Sequence, residues 1–220
     1  MRTLGTLALY YYIIAVTFAI YYRLRDSGRI PELDEKKLMV VFGSGGHTTE
    51  MLLMLTKDNQ FNFQKYGQVQ FVIGHSDTWS LTKIKDYFSR GGTQIDWEKD
   101  VQIIKLFRSR EVKQSYLTSI LTTIVALLHS AWVVAKLRPD IVVTNGPGTA
   151  VPLCYIHFFF SKVLLWNLKA KILFIESFCR VTSLSLSGKL LLPIADKFVV
   201  HWNELKLKHP KVIVYKEKII

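Results

Sequence analysis

Cysteine is scarce in this chain, so a disulfide framework is excluded. Only two cysteines occur among 220 residues, and both lie in apolar runs typical of a protein interior, which favours a reducing compartment. An N-x-[ST] sequon is also lacking. Acidic residues are few, 17 against 29 lysines and arginines, and the net charge is +12. A charge balance this basic predicts an anionic partner, which is nucleic acid, acidic lipid or a phosphorylated substrate.

Sequence motifs for several chemistries are also missing. There is no D-x-D, the nearest match being Asp96-Trp97-Glu98, and no Cys/His ligand spacing, so we expect no metal and no cofactor. The first glycine loop is not G-x-G-x-x-G, because Thr48 stands at its third glycine position, and a dinucleotide-binding fold is therefore disfavoured. A P-loop and the nucleic-acid-binding motifs are absent too.

One long hydrophobic run opens the chain, from Leu4 to Tyr22, and contains no charged residue. About 19 residues at ~1.5 Å each span the hydrocarbon core of a bilayer. The run is too long for a signal peptide and no A-x-A-like cleavage site follows it, which favours a retained transmembrane anchor. Positive charges lie mainly after it, so we expect the C-terminal part on the cytosolic side. The predicted division is an anchor (about 4–22) with a basic linker over 1–37, and one domain over 38–220.

The rest of the chain alternates short apolar runs with stretches of helical length. The runs predicted as strands are Leu38–Phe42, Val69–Gly74, Val101–Leu106, Ile141–Thr144, Ile172–Ile175, Phe198–His201 and Val212–Tyr215. The predicted helices are Thr48–Thr56, Thr78–Ser89, Ser115–Leu137, Ala150–Leu168 and Leu184–Leu192. Near-continuous apolar strands between helices indicate an α/β fold with a parallel sheet covered on both faces.

Two of these helices are apolar enough to be considered as membrane spans. The first carries hydroxyl side chains at positions 115, 118, 119, 122 and 123, which gives it one mildly polar face. The second contains Lys162 near its middle, and a lysine is expensive in lipid. We therefore interpret both as helices that pack on the sheet, with a second membrane span as the alternative.

Polar residues gather where the predicted strands end, which is where open parallel sheets bind their ligands. The segments are 43–47 (GSGGH), 75–77 (HSD), 108–110 (RSR), 145–149 (NGPGT), 176–177 (ES) and 201–202 (HW). In the first, Ser44, Gly45, Gly46 and Thr48 open a helix, so that backbone N–H groups can approach an anion. The second glycine loop holds a phosphate in the same way or is a tight turn; its candidate residues are Asn145, Gly146, Gly148 and Thr149.

Candidates for catalysis stand in the same loops. His47 is either a general base, as an imidazole at a helix start, or a residue that organises the loop. Glu176 ends an apolar strand and is a base, a hydroxyl-binding carboxylate or a helix-capping acid. Arg108, Arg110 and Lys113 form a basic cluster, which meets lipid phosphates, meets the substrate diphosphate or is merely solvated.

Four separated motifs carry a resemblance to a known family. They read VVFGSGGHTTEMLLML, RSREVKQSYLTSILTT, PDIVVTNGPGTAVPLC and FIESFCRVTSLSLSGKLLLPIADKFVVHW. They closely resemble the membrane-anchoring subunits of the eukaryotic UDP-GlcNAc transferase of asparagine-linked glycosylation. More distantly, the chain is similar to the N-terminal half of bacterial lipid II synthase, a GT-B glycosyltransferase.

The resemblance implies a Rossmann-like domain that forms the acceptor-binding half of a GT-B enzyme, with no metal. A soluble partner subunit then binds most of the UDP-GlcNAc, and the complex adds the second GlcNAc to dolichol-diphosphate-GlcNAc on the cytosolic face of the endoplasmic reticulum. By the same resemblance, the glycine loops and Arg110 hold the diphosphate, and His47 or Glu176 is the base. The alternative is a membrane adaptor without catalytic residues.

The resemblance also implies that the C-terminal tail docks the partner. The residues concerned are Trp202, Ile219 and Ile220. This tail departs from the family pattern at two positions, with Glu217 in place of an expected glycine and His201 where glutamine is commoner.

Overall fold

The fold is described from a computed structural model, which places residues 36–56, 65–90, 95–108, 116–146 and 148–215, together with isolated positions at 10, 12–14 and 17. Almost all of the predicted anchor, as well as Arg110, Lys113, Ile219 and Ile220, lies outside the described residues. The predictions for those residues stay predictions.

A seven-stranded sheet in the order β3-β2-β1-β4-β5-β6-β7 forms the centre of the domain, and every neighbouring pair is parallel. The strands are β1 (Lys37–Val41), β2 (Gln68–Gly74), β3 (Val101–Leu106), β4 (Ile141–Thr144), β5 (Lys171–Ile175), β6 (Lys197–Val200) and β7 (Ile213–Val214). The predicted α/β fold is confirmed, and each predicted strand is present with small shifts at its ends.

Six α-helices occur among the described residues. They are α1 (Gly46–Thr56), α2 (Thr78–Arg90), α3 (Tyr116–Leu137), α4 (Ala150–Phe158), α5 (Leu186–Leu191) and α6 (Asn203–Lys208). α6 was not predicted from the sequence, because its alternating lysines and leucines lack the apolar periodicity of a helix.

The prediction of one helix over Ala150–Leu168 is wrong in its second half. α4 continues only as a π-helical turn, Phe159–Val163, and Leu165 then takes a left-handed conformation with φ 57°. Lys162 is buried, and its Nζ donates a hydrogen bond to the carbonyl of Leu168. That contact satisfies the ammonium inside the protein, so Lys162 is part of the packed domain.

Alternate residues of the central strands supply two separate cores. In β1, Leu38 and Val40 join the core beneath α1 and α2, whereas Met39 and Val41 join the core beneath α3 and α4. Both faces of the sheet are therefore covered, as the continuous apolar strands predicted.

α3 packs inward through Ala126, Ser130, Val133 and Val134. Its outer side carries a row of large apolar side chains that are exposed: Ile120, Leu121, Ile124, Val125, Leu128 and Trp132. Within the part of the chain that the structure describes, α3 is the one helix long and apolar enough to cross a membrane by length and composition. α3 thus packs on the sheet through one side, as the first interpretation predicted, and its apolar row is exposed among the described residues.

Candidate active site

The two glycine loops lie side by side at the carboxyl edge of the sheet. β1 pairs with β2 on one side and with β4 on the other, so the chain leaves β1 and β4 at the point where the strand order reverses. Loops that follow such neighbouring strands diverge to opposite faces and leave a crevice between them. The predicted gathering of the strand-end residues is confirmed for these two loops.

The first glycine loop presents bare backbone at the start of α1. Gly45 has a φ of +62°, a conformation that favours glycine, and a Cβ on Gly45 or Gly46 would meet no atom of the described residues within 4 Å. The first backbone N–H groups of a helix have no partner inside the helix and carry its positive dipole end. Open space above them suits the close approach of an anion.

Thr48 holds this loop through hydrogen bonds inside the protein and is not one of the residues that line the cavity. Its side chain is buried, and its hydroxyl donates to the carbonyl of Gly43 and lies 2.8 Å from Oγ of Ser80. The predicted contact of Thr48 with the acceptor therefore falls to its backbone, and it stays a prediction. The hydroxyl is used to fix the loop conformation.

The second glycine loop is bonded to the first. Nδ2 of Asn145 donates to the carbonyl of His47 at 2.6 Å, and Thr144 Oγ1 donates to the carbonyl of Val41 at 3.3 Å. Gly146 has a φ of +94°, which turns the chain sharply after β4. Asn145 thus ties the loops together and leaves the cavity wall to the residues that follow it.

Both loops line one cavity of about 230 Å³. Its walls are Phe42, Gly43, Ser44, His47, Gly74, Asp77, Arg108, Gly146, Gly148 and Thr149. Of the predicted acceptor-binding residues, Ser44, Gly146, Gly148 and Thr149 are brought together here. Gly45 and Gly46 lie on the same loop and face open space.

Arg108 supplies the positive charge of the cavity. Its Nη2 lies 3.4 Å from Oδ2 of Asp77, and a Cβ on Gly74 would lie 2.6 Å from its Nε, so the guanidinium packs over bare backbone. Asp77 also caps α2, because its carboxylate accepts from the backbone N–H of Ser80 at 3.0 Å and from the Ser80 hydroxyl at 2.7 Å. The arginine that the structure places at the site is Arg108, while the predicted Arg110 is outside the described residues.

His47 stands at the mouth of the cavity with 41% of its side chain exposed, and its Nδ1 lies 3.3 Å from Oε2 of Glu50. Glu50 in turn accepts a hydrogen bond of 2.9 Å from the hydroxyl of Ser177, which follows β5. Three strand-end loops, those after β1, β4 and β5, are thus connected around His47.

Glu176 is only 1% exposed. Oε1 accepts from the backbone N–H of Ser177 at 2.9 Å, and Oε2 accepts from the backbone N–H and the hydroxyl of Ser185 at 2.9 and 3.1 Å. Ser185 is the N-cap of α5, and its hydroxyl accepts from the N–H of Gly188 at 2.9 Å. Among the three interpretations of Glu176, this geometry favours an acid that organises a helix start.

An aromatic group lies beyond Glu176. Nε1 of Trp202 donates to the carbonyl of Phe178 at 2.8 Å, and their ring centroids are 5.0 Å apart. His201 contacts Phe178 and Tyr215, at centroid distances of 5.6 and 5.3 Å. Burial lowers the pKa of His201, an effect opposed by the carboxylate of Glu50 and by the backbone and carboxylate of Glu176. Phe178 is largely exposed, and it lies beside Trp202, one of the residues predicted to dock the partner.

A family model described as "Oligosaccharide biosynthesis protein Alg14 like" matches residues 38–217, a range that includes nearly all of the described domain. The chain belongs to the Alg14 family. It is 41% identical over 183 residues to the UDP-N-acetylglucosamine transferase subunit ALG14 of Candida albicans, covering 83% of this chain and 78% of that protein. It is 40% identical over 183 residues to the subunit of the same name in Mus musculus, covering 80% of each.

A solved structure shows the same fold. The crystal structure of MurG from Acinetobacter baumannii matches 84% of this chain with a TM-score of 0.52 and 16% sequence identity. The match takes up only 44% of the MurG chain. This member of the Alg14 family therefore has the Rossmann-like fold of one half of a GT-B enzyme, as expected from its sequence.

Four residues around the site of this Alg14-family chain were not singled out as site residues from the sequence. Asp77 and Ser80 have the spacing of an N-cap and its third helical residue, a signal that was available. Glu50 follows His47 by one helical turn, so their contact was also predictable. Phe178 gave no signal of its own, because its exposure depends on how the chain turns after β5.

Proposed function

We propose that this chain is the acceptor-binding subunit of a heteromeric UDP-GlcNAc transferase, which adds the second GlcNAc to dolichol-diphosphate-GlcNAc. The observation that carries the proposal is the single cavity formed by two bonded glycine loops, with Arg108 and His47 on its walls. An anionic diphosphate fits bare backbone N–H groups at a helix start beside a guanidinium. Membership of the Alg14 family, whose cited relatives are named as transferase subunits, supports the same assignment.

The reaction is a single inverting displacement. The backbone of Gly45 and Gly46 and the guanidinium of Arg108 hold the acceptor diphosphate, which positions the 4-hydroxyl of the acceptor GlcNAc. His47 takes the proton of that hydroxyl as its oxygen attacks the anomeric carbon of UDP-GlcNAc. Between the two candidate bases, the exposed ring of His47 is the better placed, since Glu176 is buried and its carboxylate is engaged in hydrogen bonds.

The donor half comes from a soluble partner subunit, which shares the UDP-GlcNAc. The extent of the MurG match, 84% of this chain against 44% of that one, fits a chain that supplies half of a two-domain architecture. The exposed ring of Phe178 and the half-buried ring of Trp202 beside it offer an aromatic surface for this partner. Ile219 and Ile220, which lie outside the described residues, are proposed from the sequence to dock the same partner. This chain is inactive alone under the proposal.

The chain acts at the endoplasmic reticulum membrane as a single-pass protein with its domain on the cytosolic face. The anchor at about 4–22 holds it there. The exposed apolar row of α3, which includes Leu128 and Trp132, supports a second contact with the membrane surface. Such a contact would keep the cavity near the headgroup of a lipid-linked acceptor.

Transfer of GlcNAc in the assembled complex tests the catalytic assignment against an adaptor role. His47→Ala should lower kcat by about 10²- to 10⁴-fold, the range for general base catalysis, while the variant still co-purifies with the partner. An adaptor without catalytic residues predicts that the variant recruits the partner and keeps full turnover. That result would overturn the proposed role of the cavity.

A further inference from the structure

Two buried polar atoms face each other at the start of α1. Nδ1 of His47 and Oε2 of Glu50 are 3.3 Å apart, which is within ion-pair distance, and among the described residues neither atom has a hydrogen-bond partner. A buried nitrogen and a buried carboxylate oxygen without other partners are costly unless they satisfy each other. Their separation of three residues places them one above the other on the helix, which keeps them adjacent.

The carboxylate of Glu50 is also held from outside its own helix. Its Oε1 accepts a hydrogen bond of 2.9 Å from the hydroxyl of Ser177. That hydroxyl is itself placed by the loop after β5, where it accepts from the backbone N–H of Cys179 at 3.3 Å. Glu50 therefore has one oxygen fixed by the sheet and the other directed at His47.

The exposed part of the His47 ring is the side away from Glu50. Nδ1 is buried, yet 41% of the side chain is exposed and the residue lines the cavity between the glycine loops. The accessible nitrogen is therefore Nε2. A carboxylate that accepts the Nδ1–H of a histidine leaves the lone pair on Nε2 and fixes the ring orientation.

We propose that Glu50 is a positioning residue, whose carboxylate, held by Ser177, sets the His47 tautomer with Nε2 as the proton acceptor. This inference rests on the proposed transfer reaction. As the acceptor oxygen bonds to the anomeric carbon, its proton passes to Nε2 of His47. The bond from that carbon to the UDP oxygen breaks, and its electron pair leaves with UDP. The resulting imidazolium faces the Glu50 carboxylate, which stabilises the charge as it develops.

Kinetics of Glu50→Gln in the full complex with its partner test the role. The amide still accepts from Ser177 but lacks the charge and presents a donor or a weaker acceptor to Nδ1. We expect kcat to fall at least about tenfold, with the acceptor KM changed less than about threefold, because the base is misoriented while the diphosphate site is intact. Glu98→Gln, at an exposed turn position, is the matched control and should leave both constants unchanged.

The double variant distinguishes positioning from general support of the fold. If Glu50 acts through His47, adding Glu50→Gln to His47→Ala costs no further turnover, since residues that act as a unit are not additive. The inference would be overturned if the fold-losses in kcat of the two single variants multiplied in the double variant. An unchanged kcat in Glu50→Gln would also overturn it.

A second measurement does not depend on activity. The ¹⁵N resonances of His47, assigned with His47→Ala in the full chain in detergent, report which ring nitrogen carries the proton. We expect protonated Nδ1 in the wild type and loss of that preference in Glu50→Gln. Protonated Nε2 in the wild type would overturn the inference, whereas a wild-type complex that transfers no GlcNAc would overturn only the proposed function.

Discussion

The guanidinium of Arg108 lies 3.4 Å from the carboxylate of Asp77, and the same carboxylate caps α2 through Ser80. Arg108, which follows β3, is thereby connected through Asp77 to the start of α2, the helix that follows β2. The contact holds the arginine over Gly74 at the cavity wall. Asp77 is held by α2 and not by the ligand, so Arg108 keeps its orientation before an anion arrives.

Arg108→Ala should raise the acceptor KM by about 10- to 100-fold, the equivalent of losing one hydrogen bond to a charged group. Arg108→Lys should recover little of this, because an ammonium cannot contact both Asp77 and a diphosphate with the planar geometry of a guanidinium. Steady-state kinetics with varied acceptor measure the effect. Lys105→Ala, at an exposed position of β3, is the control. An equal rise in acceptor KM in this variant would mean that the net charge of the protein, and not the position of Arg108, determines the effect.

Gly46→Ala separates ligand binding from folding. A Cβ at this position meets no atom within 4 Å and the backbone is not left-handed, so the free energy of unfolding should change by less than about 1 kcal/mol. Activity should fall strongly, because the methyl group occupies the space where the diphosphate approaches the backbone. Gly146→Ala is the contrasting variant: its φ of +94° and a Phe174 atom 3.2 Å from the new Cβ predict a loss of stability as well. Full activity in Gly46→Ala would place the diphosphate elsewhere.

Glu176→Gln should destabilise the domain by about 1–3 kcal/mol, the cost of impairing hydrogen bonds of a buried carboxylate. Gly188→Ala should act in the same direction, because the new Cβ would overlap Oε2 of Glu176. Chemical unfolding of both variants measures this. If Glu176 is instead the base, Glu176→Gln will lose turnover with no change in unfolding, and Gly188→Ala will not mimic it.

Position 128 on α3 should contact lipid. A fluorescent label on Leu128→Cys, in a chain that also carries Cys179→Ser, should be quenched by brominated lipids in vesicles that hold the full protein. A label on Asp86→Cys should not be quenched, since α2 covers the opposite face of the sheet. Equal quenching at both positions, or at neither, would remove the proposed membrane contact of α3.

Stability should fall as the pH drops below about 6.5. Burial, with the positive charge of Lys162, lowers the pKa of His157 to about 3. At a pH between this value and about 6.5, His157 is therefore protonated in the unfolded chain and neutral in the folded chain. Between these two pKa values His157 contributes a loss of about 1.4 kcal/mol per pH unit. Protease susceptibility of the full chain in detergent between pH 7 and 4.5 reads this out. His157→Phe should have a flatter profile, and a profile equal to that of the wild type would contradict the assignment.

The sheet was predictable because its strands are near-continuous apolar runs, and the gathering of loops followed from their parallel direction. Local rules failed where tertiary contacts decide. The side chains of Thr48 and Asn145 look like ligands for a phosphate, yet the Thr48 hydroxyl donates to Gly43 in its own loop and the Asn145 amide donates to His47 in the neighbouring loop. The hydrogen bond between Ser177 and Glu50 joins residues that are 127 positions apart. Such a long-range contact cannot be predicted from a single sequence.

Under the proposed function, this chain contributes the acceptor half of a shared active site. The most direct test measures GlcNAc transfer from UDP-GlcNAc to a dolichol-diphosphate-GlcNAc analogue, with the chain alone, the partner alone at the membrane, and both together. Activity should appear only with both, and should be lost in His47→Ala without loss of the complex. Full activity from the membrane-bound partner alone would contradict the proposed function and leave this chain an anchor.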